Sequence, residues 1–161
     1  MNSQPLDKFD ESILVLLQRD ARQPVSEIAA AVGLSEPACY RRIRRLREDG
    51  IIDRDVAVIH PRAMGWPLSM LVLVTLETDR SQIIDALVKR LSTLDEVLDA
   101  WYVTGDHDFV LHVIARDMEY FENFVRQSLH SDANVRSFKT LVVMRNCKRL
   151  SAVPAISNID R

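Results

Sequence analysis

The chain has 161 residues, 47% of them hydrophobic and 27% charged, a balance typical of a globular protein. Its formal net charge of −2 argues against a protein that coats nucleic acid over its whole surface. No stretch reaches the roughly 18 apolar residues that span a bilayer, and residues 1–12 lack the apolar run of a signal peptide, so we expect a cytoplasmic protein.

The first predicted helix runs from Leu6 to Gln18, where apolar residues recur at helical spacing. Asp7, Asp10 and Glu11 lie near its start, where acidic side chains favour the helix dipole. The segment Arg22-Gln23-Pro24 ends it. We expect this helix to support the segment that follows, because two short helices cannot bury a core alone.

Residues 25–47 have the pattern of a helix-turn-helix motif. A short amphipathic segment ends at Gly33, which supplies the left-handed conformation of an abrupt helix end. Ser35 can cap the next helix, and Pro37 falls in its first turn. This second helix buries Cys39, Ile43 and Leu46 on one face.

The second helix of the motif also carries a basic stripe. Between residues 35 and 47 five arginines stand against one acid, whereas the first sixty residues hold nine Lys and Arg against ten Asp and Glu. Arginine binds phosphate and can donate two hydrogen bonds to a guanine edge, so the stripe predicts a double-stranded DNA surface. An ordinary solvated helix face is the alternative. The residues expected to contact DNA are Ser35, Glu36, Tyr40, Arg41, Arg44 and Arg45; Arg42, beside the apolar stripe, suits a bracing role.

The segment after this motif is predicted to connect two domains. Gly50 ends the basic helix, and Ile51 and Ile52 should close the base of the three-helix unit. Residues 53–60 alternate apolar and polar side chains, which predicts a connecting strand. The fold expected for the first domain is a winged-helix-like helix-turn-helix. The stretch 61–67 contains two prolines and a glycine, so we place the linker there, after a DNA-binding domain at 1–60.

The second half predicts an α+β domain over residues 68–150. Apolar patterning gives four strands, at 68–77, 97–104, 109–115 and 137–148, and two helices, at 80–94 and 118–129. The order βαββαβ is ferredoxin-like, an antiparallel sheet with both helices on one face. The other face also carries apolar residues, so we expect a second copy to cover it. The tail 151–161 has no clear periodicity.

The two cysteines and the histidines bear on catalytic and metal chemistry. Cys39 is expected on a buried helix face and Cys147 in the last strand, without metal-ligand spacing, so both should be reduced thiols. His107 lies between two aspartates, and His112 follows five residues later, which allows an acid/base or metal cluster as one alternative. However, a turn and a strand point these side chains in different directions, and no nucleophile accompanies them. We therefore expect no enzyme, metal or cofactor.

Four stretches resemble the leucine-responsive/asparagine-responsive (Lrp/AsnC) transcriptional regulators of bacteria and archaea. They are LDKFDESILVLLQRDAR, VGLSEPACYRRIRRLREDGII, VTGDHDFVLHV and VRSFKTLVVMRNCK, in family order and at family spacing. The resemblance implies an N-terminal DNA-binding domain, a linker strand, and a ferredoxin-like module that dimerises through its sheet and binds an amino-acid effector between dimers. It also implies further assembly, often to octamers.

Within this resemblance the effector loop corresponds to Thr104, Gly105, Asp106 and Asp108. Glycine lets a backbone approach a ligand closely, an aspartate can pair with an α-ammonium, and backbone N–H groups can receive an α-carboxylate. Many members have an aromatic residue where this chain has His107, which bears on the identity of the effector. Two alternatives stay open: the loop is simply a hairpin turn, or the protein is an architectural DNA-binding protein that responds to no ligand.

Overall fold

The computed structural model describes residues 5–78, 80–148 and 153–154. These residues form two compact units, one of residues 5–57 with 148, 153 and 154, the other of residues 58–147. Each unit has its own hydrophobic core. The division falls slightly before the linker predicted at 61–67, and most of the predicted tail lies outside the described residues.

Three helices build the first unit, α1 (Lys8–Arg19), α2 (Val25–Val32) and α3 (Glu36–Glu48). Each contributes apolar side chains at three- and four-residue spacing to one core, as an amphipathic helix does. The core side chains are at most 3% exposed: Ile13, Ile28, Ala29, Cys39, Ile43 and Leu46. The predicted helix-turn-helix is confirmed, and α1 supplies its third wall.

The turn between α2 and α3 follows the predicted chemistry except at its cap. Gly33 ends α2 in the left-handed region, at φ 74°. Ser35 occupies the N-cap position of α3, but its hydroxyl does not make the expected capping hydrogen bond. Pro37 lies in the first turn, where a missing N–H costs little. Beyond α3, the N–H groups of Ile51 and Ile52 donate to the Leu46 carbonyl, so both residues close the core as expected.

The connecting strand predicted over residues 53–60 is wrong. These residues are exposed and pair with no described strand. Val56 and Val58, which suggested the strand by alternation, are 65% and 66% exposed. A strand exists only with a hydrogen-bonding neighbour, which alternation along one segment does not supply. The first unit therefore has no β wing within its described residues. A short 3₁₀ turn, Pro61–Met64, lies near the start of the second unit.

A four-stranded antiparallel sheet and two helices form the second unit. The elements are β1 (Leu68–Leu76), α4 (Ser81–Leu91), β2 (Val97–Tyr102), β3 (Phe109–Ala115), α5 (Met118–Val125) and β4 (Val135–Val142). The strand order is β2-β3-β1-β4, so the first and third strands lie in the middle. This confirms the predicted ferredoxin-like fold.

One face of this sheet is covered and the other is open. Alternate residues of β1 and β3 pack against α4 and α5, in a core that includes Val72, Leu111, Leu87 and Phe124. The opposite side chains, such as Leu71 and Trp101, remain half-buried or exposed. The period of two along each strand produces this division.

The later elements end earlier than predicted. Strand β4 ends at Val142, which lies opposite Met70, and one further hydrogen bond joins the Val143 N–H to the Ser69 carbonyl at 2.9 Å. Cys147 consequently lies outside the strand and is exposed. Helix α5 passes at Val125 into a π turn, Arg126–His130. Both cysteines are free thiols, and burial raises the pKa of the Cys39 thiol. Within the described residues, no helix combines the length and apolar character of a bilayer-spanning segment.

Candidate functional site

The solvent face of α3 presents polar side chains opposite its buried stripe. Tyr40 is 59% exposed, and Ser35, Glu36, Arg41 and Arg44 are also exposed. Residues 40, 41 and 44 project together because positions three and four apart share a helix face. Five of the six residues predicted to contact DNA are thus exposed, and Tyr40, Arg41 and Arg44 share one helix face, whereas Ser35 and Glu36 lie at the start of α3.

The arginines of α3 differ in their partners. Arg44 pairs with Glu48 at 2.7 Å, and Arg47 pairs with Asp55 at 2.9 Å. Glu48 raises the pKa of Arg44 by hydrogen bonding to its guanidinium. Within the described chain, Arg41 is the α3 arginine with no hydrogen-bonded or ion-paired acid. Its charge is the most available of the set for an incoming phosphate.

Arg45 does not lie with the exposed set, against the expectation for this residue. Its Nη2 reaches back to Oδ2 of Asp10 on α1, at 2.5 Å. Arg42 makes the companion contacts, with Asp10 Oδ1 at 2.9 Å and Asp7 Oδ2 at 2.7 Å. Asp10 is only 1% exposed. Both Arg42 and Arg45 therefore brace α3 against α1, although this role was expected only for Arg42.

Asp7 and Asp10 are residues of this site that sequence reasoning missed. They also form a capping box, in which each carboxylate accepts a hydrogen bond from the backbone N–H of the other residue. The Asp10 N–H, followed by Arg42, lowers the pKa of Asp7, and the hydrogen bonds to Asp10 and Asp7 raise the pKa of Arg42. A signal was present: Asp10 stands three residues before Ile13, on the apolar stripe of α1, where a charge needs a partner.

The loop between β2 and β3 holds the residues matched to an effector site. Thr104, Gly105 and Asp106 are exposed at its tip, and Gly105 has φ 123°, a conformation that favours glycine. Hydrogen bonds close the loop at its base, where the Val103 N–H donates to the Asp108 carbonyl at 2.8 Å. The Asp106 carboxylate has no partner among the described residues, so it is available to a cation.

Asp108 and His107 face β1 instead of solvent. Oδ2 of Asp108 accepts the Leu76 N–H at 2.7 Å, beside the point where the β1–β4 register shifts. Nδ1 of His107 lies 3.0 Å from Oγ1 of Thr75. The four residues matched to the effector loop thus divide into an exposed tip and one aspartate that braces the loop.

The histidines do not form a shared centre. His112 lies on the open sheet face with Nε2 2.8 Å from Oγ of Ser69, at the opposite end of β1 from Thr75, the partner of His107. Its Nδ1 is 3.9 Å from Asp99. In the part of the chain that the structure describes, no three His, Cys, Asp or Glu side chains come close enough to hold a metal ion.

Comparisons with known proteins match both units to one family. Residues 6–47 match the AsnC-type helix-turn-helix domain, and residues 69–153 match the Lrp/AsnC ligand binding domain. The chain is 42% identical over 149 residues to the HTH-type transcriptional regulator y4tD of Sinorhizobium fredii, covering 92% of this chain and 88% of that one. It is 34% identical over 143 residues to the leucine-responsive regulatory protein of Rhizobium meliloti, covering 89% and 92%.

A solved structure gives the same assignment. A transcriptional regulator from Neisseria meningitidis, solved as a complex with L-Met, superposes with a TM-score of 0.88 at 27% identity, covering 96% of this chain and 99% of that one. The fold, the arginine-bearing helix and these matches agree on one class of protein. The chain is a DNA-binding transcriptional regulator of the Lrp/AsnC family, and not an enzyme.

Proposed function

We propose that this regulator binds DNA sequence-specifically through the exposed face of α3, and that an amino acid or related small metabolite changes its DNA affinity or oligomeric state. The observation that carries the DNA surface is Arg41, an exposed arginine on the second helix of a helix-turn-helix that meets no acidic partner among the described residues. Because its partner is DNA, we place the protein in the cytoplasm.

The DNA surface that we propose comprises Ser35, Glu36, Tyr40, Arg41 and Arg44. Arg44 belongs to it despite its pairing with Glu48, since both side chains are exposed, at 70% and 59%, and such pairs are weak enough for a phosphate to displace the acid. Glu36 can accept from a cytosine amino group in the major groove. Arg45 is left out because Asp10 holds its side chain.

The effector site that we propose is the loop tip formed by Thr104, Gly105 and Asp106. An amino acid would place its ammonium against Asp106 and its carboxylate against backbone N–H groups of this loop or of a neighbouring subunit. Asp108 supports the same site indirectly by holding the loop against β1. The complex of the Neisseria relative with L-Met makes free amino acids the first ligands to test.

A thermal-shift screen against the free amino acids tests this site. At a hundred times its dissociation constant, a ligand adds about 2.7 kcal/mol of stability. We expect Asp106→Ala to remove that shift while ligand-free DNA binding is retained, and Asp85→Ala, at an exposed aspartate of α4, to leave it intact. Asp108→Ala should instead lower the melting temperature without ligand, because the Leu76 N–H loses its acceptor.

Two results would contradict the effector proposal. A shift that persists unchanged in Asp106→Ala would place the ligand elsewhere on the protein. The absence of any shift, with DNA binding intact, would favour an architectural protein that works without a ligand.

We also propose that two copies associate through the open sheet face and that dimers assemble further, to a particle such as an octamer. Leu71, Leu73 and Leu141 lie side by side on this face, because β1 and β4 pair Leu71 with Leu141. Trp101 extends the apolar area across β3, where it lies opposite Val110. An apolar sheet face of this kind is ordinarily buried against another layer.

A further inference from the structure

The start of α1 holds two arginines of the DNA-facing helix. Asp10 accepts from Arg42 through Oδ1 and from Arg45 through Oδ2, and Asp7 adds a second contact to Arg42. We call the two aspartates the α1 clamp. The clamp and its arginines carry two negative and two positive charges, so the set is neutral. The side chains of Arg42 and Arg45 are 27% and 32% exposed, less than that of Arg44, which is 70% exposed.

The position of Arg45 on α3 means that its contact with Asp10 changes the charge on the DNA-facing side of the helix. Residue 45 comes one helical turn after residue 41, so its Cα lies on the same side as the exposed Arg41. Only the side chain turns back: its Nη2 lies 2.5 Å from Oδ2 of Asp10, whereas its Nε lies 4.0 Å from Oδ2 of Asp49. Without that carboxylate, Arg45 could extend outward and continue the row that begins at Arg41.

Charge on this face controls how DNA binding divides between specific and non-specific modes. Each guanidinium that meets a phosphate adds affinity for any sequence, whereas base contacts supply discrimination. An α3 on which Arg45 also extended outward would favour backbone contact anywhere on a duplex. An α3 with Arg42 and Arg45 neutralised keeps fewer such contacts.

We propose that Asp10, assisted by Asp7, is a specificity-determining residue that withholds Arg42 and Arg45 from DNA phosphates. The proposal rests on the α3 surface described above as the DNA-binding face. It assigns these acids a role other than contact with DNA. Removing the clamp charge should therefore strengthen binding to arbitrary sequence, which loss of a structural brace would not do.

The test measures the affinity of full-length protein for a random-sequence duplex across a salt series. In Asp10→Asn we expect tighter non-specific binding and a plot of log affinity against log salt that is steeper by about 1 for each arginine released. Asp7→Asn, which keeps an N-capping side chain, should give a smaller change in the same direction. In the double variant Asp10→Asn, Arg45→Gln, the part of the increase due to Arg45 should disappear. A folded Asp10→Asn protein with an unchanged or shallower slope would overturn the proposal.

If Asp10→Asn fails to fold, a second variant tests whether Arg45 contacts DNA phosphate. Arg45→Gln leaves Asp10 paired with Arg42, so the domain keeps a partner for its buried carboxylate. We expect its salt slope to equal that of the unmodified protein, because Arg45 meets no phosphate. A slope lowered by about 1 would show that Arg45 does contact phosphate and would overturn the clamp. Arg41→Ala separates the two ideas: if its slope is unchanged, the α3 surface itself is wrong.

Discussion

Arginines only a few positions apart on α3 have different acidic neighbours. These neighbours decide which arginine is available to bind DNA. Arg41 has no acidic partner among the described residues, Arg44 shares an exposed pair with Glu48, and Arg45 reaches a buried carboxylate. An exposed ion pair contributes little free energy and is screened by salt. A buried carboxylate holds its arginine firmly, because leaving that charge unpaired is costly.

We predict that Arg41→Ala and Arg44→Ala each weaken DNA binding and lower the salt slope by about 1, through loss of one phosphate contact. Neither side chain belongs to the core, so the melting temperature should be nearly unchanged. Arg126→Ala, at a 66% exposed arginine of the second unit, is the matched control. Fluorescence anisotropy with a labelled duplex measures the slope, and equal slopes in all three variants would exclude this face of α3.

The turn joining α2 to α3 is the element that sets the angle of the DNA-facing helix. Its geometry depends on Gly33, whose φ of 74° lies in the left-handed region. The Leu34 N–H then donates to the Ala29 carbonyl at 2.9 Å, so that this carbonyl in the last turn of α2 has a hydrogen-bond donor. A methyl group built at Gly33 meets no atom within 4 Å, so a side chain there is opposed by backbone conformation and not by space.

We predict that Gly33→Ala lowers the free energy of unfolding of the first unit by about 1–2 kcal/mol, the cost of the left-handed conformation for a residue with a Cβ. Gly33→Asn should lower it less, because asparagine tolerates this conformation. Urea unfolding of residues 1–57, followed by far-ultraviolet circular dichroism, measures both. Equal stability of Gly33→Ala and the unmodified fragment would contradict the geometry of the turn.

The two units of the whole molecule have separate cores and different tasks. The first unit offers one arginine-bearing helix, which by itself reads a single half-site. The second unit offers the open sheet face that we propose to be covered by another copy. Joining two first units through that face would raise their effective concentration on DNA, so dimerisation and DNA affinity should be linked.

We predict that residues 58–161 sediment as a dimer or larger, whereas residues 1–57 sediment as a monomer and bind DNA weakly. In the full chain, Leu71→Asp should break the association, since it places a charge on the open face. Val88→Asp, at a 47% exposed position of α4, is the control and should leave assembly intact. A monomeric 58–161 fragment, or a Leu71→Asp protein that assembles normally, would refute this arrangement.

Local patterning was enough to predict most of the architecture. The buried stripe of Cys39, Ile43 and Leu46 and the order of strands and helices follow from periods of 3.6 and 2, which are properties of neighbouring residues. Gly33 and Pro37 mark the turn of the DNA-binding motif for a similarly local reason. The sequence by itself therefore determined the two-domain organisation, the helix-turn-helix and the exposed position of Arg41.

Tertiary structure alone decided what depends on partners distant in the chain. Arg45 turns away from the DNA face because Asp10, 35 residues earlier, lies within its reach. Asp108 braces its loop because β1 places the Leu76 N–H beside it. Residues 53–60 alternate like a strand but meet no described partner, and β4 ends at Val142, short of the predicted residue 148. Side-chain direction and strand pairing are set by contacts between elements, which spacing along one element does not specify.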